Sequence, residues 1–157
     1  MNKKKIIKIS ALVLVSGLII GGGIVLYLFN MPHRDIQSSA TDFRLTVSQI
    51  VNEYVANPDE ANKKYLKDDG QSAILEVEGV VNRISHNMNG ETIILLTNSD
   101  APAGVQCTLI PSIDGNQPIL NRNDQVVLKG VIRAGTYFDE DFQRYEPVIM
   151  DHCSMVK

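Results

Sequence analysis

The chain has 157 residues, 18 acidic against 15 basic side chains, and no tryptophan. Lys3, Lys4, Lys5 and Lys8 are the only charges before Arg34, so everything beyond them carries 11 basic against 18 acidic side chains, a net −7. A chain of this length holds one domain with a modest core, and that acidic balance argues against a surface built for phosphates.

Residues 1–8 read as a basic cytoplasmic N-terminus, and Ile9 to Phe29 is a run of 21 residues without a charge. As a helix this run spans about 31 Å, the thickness of a hydrocarbon core, with its backbone hydrogen bonds satisfied internally. The competing reading is a cleaved signal peptide. Its apolar stretch is shorter and ends in a small-x-small site, whereas this one ends in Leu28, Phe29, Asn30, Met31 and Pro32. The expectation is therefore an uncleaved single-pass anchor over residues 9–29, with the bilayer as its partner. Four lysines before the run, against His33, Arg34 and Asp35 after it, place the N-terminus in the cytoplasm. The remainder then stands outside the inner (cell) membrane. Gly17 and Gly21 have the G-x-x-x-G spacing that lets two helices approach, a candidate homodimer contact, although glycine is common in membrane helices anyway.

Residues 30–41 read as a polar linker and 42–157 as the exported domain. Thr46 and Gln49 have capping-box spacing, and Val47, Ile50, Val51, Tyr54 and Val55 recur on one helical face. Asn57 and Pro58 end that helix and start another, an N-cap followed by proline at the first position, with Ala61 and Tyr65 as its buried side and Lys67–Gly70 as its end. From Ser72 the period changes to two. Strands are predicted over 72–84, 92–97, 105–110, 125–133 and 147–156. Asn89-Gly90 is a hairpin turn between the first two. Pro111 to Asp124 is a long connection containing the turn signal Asp114-Gly115-Asn116, and 135–145 is an acidic loop.

Helices followed by five short strands make an α+β chain, with Gly79 and Gly130 in mid-strand where barrels bend. A long connection between the third and fourth strands fits a five-stranded OB-fold-like barrel with helices at one end.

At the level of residues the chain resembles the tRNA-anti-like family of OB-fold proteins, found largely in membrane-anchored or secreted bacterial proteins of unknown function. The matching features are Val51, Glu53, Tyr54, Asn57, Ala61 and Lys64-Tyr65, then Glu76 to Val81, Val105-Gln106-Cys107, Asp124 to Gly130, and Val148 to Cys153. They run over about 45–156, and order and spacing carry the match. The resemblance implies an OB-fold. It does not imply tRNA binding, since a fold does not fix a function.

Cys107 and Cys153 are the only cysteines. In an OB barrel the third and fifth strands are neighbours, and the two cysteines fall on those strands, so a disulfide is expected in an exported domain. The alternative is a pair of buried free thiols. Metal binding lacks its spacing: there is no C-x-x-C and no close pair of histidines.

No nucleotide-binding, zinc-protease or serine-hydrolase motif occurs, and His152 beside Cys153 points to the opposite face of a strand. The chain is thus read as non-catalytic, with no cofactor. Its densest polar feature is the loop of Tyr137, Phe138, Asp139, Glu140, Asp141, Phe142 and Tyr145, a candidate ligand loop in the place where OB-folds often flank their groove. A plain solvated loop is the competing reading. The favoured function is a membrane-tethered binding module for an envelope protein, peptide or glycan. The alternative is a single-stranded nucleic-acid-binding OB domain. It is disfavoured because those aromatics are interleaved with carboxylates and no basic groove is visible.

Overall fold

Two polar side chains fix where the short helices begin. Thr46 accepts from the Gln49 amide while the Gln49 side chain accepts from the Thr46 amide, a complete capping box. Asn57 closes that helix with its own amide and caps the next through its side chain, with Pro58 at the first position. In a computed structural model, which describes residues 3–29, 35–67, 71–111 and 119–156, the order is α1 Lys3–Phe29, β1 Phe43–Thr46, α2 Val47–Ala56, α3 Pro58–Tyr65, β2 Ile74–His86, β3 Thr92–Thr97, β4 Val105–Leu109, β5 Gln125–Ala134, β6 Phe138–Asp139, β7 Arg144–Tyr145 and β8 Val148–Met155. His33, residues 68–70 at the expected end of α3, and the Asp114-Gly115-Asn116 turn lie outside the described residues.

The chain divides into two compact units, Met1–Arg34 and Asp35–Lys157. In the first, Val13, Leu14, Ile19, Ile20, Val25, Leu26 and Phe29 of α1 are all about half exposed or more. Among the described residues, no helix meets the length and hydropathy of a membrane span. Gly17 and Gly21 lie in α1, and nothing approaches either.

In the second unit, β2, β3, β4, β8 and β5 pair in that order and β2 pairs with β5, which closes a five-stranded barrel. β2 serves both closures because it is long and bent. Its first half pairs with β5, its second half with β3, and the register shifts between Val81 and Arg83. β4 and β8 run parallel, all other barrel neighbours antiparallel. Leu75, Val77, Val81, Ile94, Leu96, Leu128, Ile132 and Met150 fill the interior. α2 packs on β2 and β3, sending Val47, Ile50 and Tyr54 into the same core.

Two strand pairings differ from the sequence expectation. Phe43–Thr46 forms β1, a sixth strand parallel to β2. The 135–145 loop holds the β6–β7 hairpin.

The polar segment read as a linker is packed from Asp35 onward. Asp35 caps a turn by accepting from the amides of Gln37 and Ser38, and these bonds hold its carboxyl below the usual range, the Ser38 side chain first. Ile36 is buried against Ile74 and Val131. Lys129 Nζ donates to the Gln37 and Ser39 carbonyls at 3.0 and 2.6 Å. Gln37 Nε2 donates to the His152 carbonyl at 2.7 Å. Asp42 exchanges two bonds of 2.8 Å with Ile74. These contacts satisfy backbone groups that an independent linker would leave to water.

Candidate binding face

Strand alternation sends every second residue of the barrel outward, and register groups those residues into rows. Arg83, Leu95, Gln106 and Ile149 are paired in succession across β2, β3, β4 and β8. Ser85, Ile93 and Thr108 form the next row. Leu95, Ile93, Gln106, Thr108 and Ile149 are all half-buried. Arg83 is the one charged side chain in the two rows. The surface therefore offers branched apolar groups with one amide and two hydroxyl tips, and no aromatic side chain in the two rows. At the Thr108 end it opens into a cleft of about 330 Å³ between the β2–β3 turn and β8, lined by Glu91, Thr108, Asp151 and His152 among others. The turn itself is built by Asn87, whose side-chain oxygen accepts from the amides of Asn89 and Glu91, while Gly90 takes the positive φ of 79°.

The other flank is the β6–β7 hairpin, which joins Ala134 to Val148, the neighbour of Ile149. All seven residues singled out in the sequence fall within or beside it. Phe138 and Tyr145 meet edge to face at 5.1 Å. Tyr137 and Phe142 are 62% and 69% exposed, so both rings are presented to solvent instead of covering the barrel end. Asp139 Oδ1 accepts from the amides of Asp141 and Phe142 at 2.9 and 3.1 Å, which commits its carboxylate to the turn. Arg144 sits over the Phe142 ring at 5.2 Å and pairs with Glu146 at 2.9 Å. Thr136 Oγ1 donates to the Glu146 carbonyl, and the Glu146 amide to the Tyr137 carbonyl. The loop is thus a tied hairpin with exposed rings. Among the described residues, no three His, Cys, Asp or Glu are placed to hold a metal ion.

Cys107 and Cys153 are free thiols, both fully buried, on the neighbouring strands β4 and β8. The strand adjacency anticipated from the sequence is present, while the disulfide anticipated with it is not formed in this structure.

Sequence reasoning missed the row of outward residues, whose signal was only the alternation of β3 and β4. It also missed a cluster behind the barrel. Glu53 accepts from Lys64 Nζ at 2.8 Å and from Tyr65 Oη at 2.7 Å. Burial works against the charged Glu53 carboxylate, but these two donors outweigh it and its pKa is lowered. Lys64 lies over the rings of Phe43 and Tyr65. The arrangement ties α2, α3 and β1 together and serves the fold.

With the closed barrel and its strand order established, the comparison with known families is decisive. The sequence profile described as tRNA_anti-like matches residues 1–143. The chain belongs to the tRNA_anti-like family. No curated protein matches the chain. As a tRNA_anti-like domain it carries the OB-type barrel on which the rows and hairpin above are displayed.

Proposed function

We propose that this protein is a membrane-tethered, non-catalytic binding module whose OB barrel is presented outside the cytoplasm to a protein or peptide partner. The observation that carries the binding reading is the outer face of β3, β4 and β8. Its half-exposed Leu95, Ile93 and Ile149, with one Arg and no carboxylate in the two rows, form a surface for an apolar and amide-bearing partner. The tether reading rests on the 21 uncharged residues before Asn30 and on the exposed apolar side chains of α1 from Val13 on. A helix apolar all round requires either a large protein core or lipid.

A photo-crosslinking residue at Leu95, installed in the full chain in intact cells, tests the reading. A discrete adduct with one protein, absent when the same residue replaces Glu78 on β2, is the expected outcome. Equal labelling from both positions would remove the face from consideration.

One observation favours a second reading. Tyr137 and Phe142 are exposed rings of the kind that stack on bases, and Arg144 already lies over Phe142. Glu140 and Asp141 between them repel phosphates, so single-stranded nucleic acid ranks second. Salt-sensitive, submicromolar binding of an oligonucleotide by the full chain would reverse that order.

A further inference from the structure

The pairing of β4 and β8 is irregular where the two cysteines lie. Cys107 is opposite Met150 and Leu109 opposite Cys153, so β8 carries one extra residue between the two matched pairs. His152 absorbs the excess with a positive φ of 53°, uncommon for a residue with a side chain. As a result Met150 and Cys153 both face inward, three apart, where simple alternation would have turned Cys153 out. The space for it is made on β5. A β carbon on Gly130 would overlap Cys153 Sγ and would stand 2.9 Å from the Asp151 carbonyl. A strained backbone and a missing side chain thus bring the second sulfur into the core beside the first.

We propose that Cys107 and Cys153 are a disulfide-forming pair, and that the bond is made while the chain folds and not afterwards. Both residues have no exposed surface, so a disulfide-bearing oxidant cannot reach either sulfur in the folded barrel. The Cys107 thiol beside it and burial hold the Cys153 thiol well above the usual thiol range, so Cys153 is a poor source of thiolate in the folded barrel. During folding, one thiolate displaces half of a disulfide oxidant and forms a mixed disulfide. The second thiolate then attacks the protein sulfur of that bond and releases the other half. Two protein thiols become one bond, and the oxidant leaves as two thiols. The redox state of the core then records the compartment in which the barrel folded. That last step rests on the extracytoplasmic reading above, while the pairing itself does not.

The test uses the full chain in detergent, unfolded and reduced, then refolded with glutathione disulfide, with thiols trapped and peptides mapped without reduction. The expected product is an intramolecular Cys107–Cys153 peptide pair. The folded, reduced protein should oxidise at least about tenfold more slowly under the same conditions. Reduction should lower Tm by roughly 10–20 °C, because the bond closes a long loop. Gly130→Ala should lower the bridged fraction. Two free thiols after refolding would overturn the pairing, and equally fast oxidation of folded protein would overturn its timing. The same mapping on native membranes needs no refolding, and a bridged pair there supports the proposal directly. A pair bridged in the test tube but free in native membranes would leave the pairing standing and contradict the extracytoplasmic location.

Discussion

Gly79 lies directly under Val47: a β carbon at 79 would stand 2.6 Å from Val47 Cγ2 and 3.1 Å from Leu96 Cβ. Val47 is the first residue of α2 and Gly79 lies near the middle of β2, so this contact sets how closely the helix rests on the barrel. Gly79→Ala forces the helix outward or Val47 off its rotamer. A destabilisation of about 1–3 kcal/mol is expected from denaturant unfolding. Combining it with Val47→Ala should recover part of that loss, which a simple strand-propensity effect would not allow.

Tyr54 is buried to 1% exposure at the same end of the barrel, against Gly135, and its hydroxyl has no hydrogen-bond partner among the described residues. Burial, then the neighbouring Tyr65 and Glu53, push its pKa up to about 12. An unsatisfied buried hydroxyl costs free energy that a phenyl ring does not. Tyr54→Phe is therefore expected to leave stability unchanged or raise it by about 1 kcal/mol, measured by thermal unfolding. A loss of more than about 1 kcal/mol would mean that the hydroxyl has a partner, such as a bound water.

Glu53 links stability to acid. Its carboxyl has a lowered pKa in the folded chain, so its contribution is complete above the ordinary value of 4.5. That contribution is lost as pH falls through the lowered folded value. The pair is 39% exposed on both sides, which keeps the effect small. Between about pH 6 and pH 3 the wild type should lose roughly a few degrees more in Tm than Glu53→Gln does. Identical acid slopes would assign Glu53 no part in the linkage.

Much of this fold is written locally. Thr46 with Gln49, and Asn57 with Pro58, state their helix starts within four residues, and the period of two from Leu75 to Val81 states its strand. What escaped the sequence is long-range. Phe43–Thr46 is four residues long and becomes a strand only because β2 offers it a parallel edge 32 residues away in sequence. Ile36 and Gln37 dock on Val131 and on the carbonyl of His152, contacts that no local pattern encodes. The two-residue strands of the β6–β7 hairpin carry no periodicity, only an Asp139 turn hidden in an acidic run. The binding face escaped the sequence reading: alternation along β3 and β4 carries the signal that Leu95 and Gln106 point outward, but register alone puts them side by side with Ile149.

The partner reading and the folding-compartment reading of the thiols both depend on the barrel standing outside the cytoplasm. The most direct measurement fuses a reporter that is active only after export, and separately one active only in the cytoplasm, to Lys157 of the full chain in washed membranes. Activity from the exported reporter alone, retained in membranes after alkaline extraction, is the expected result. Activity from the cytoplasmic reporter, or release of the fusion by alkaline extraction, would contradict it.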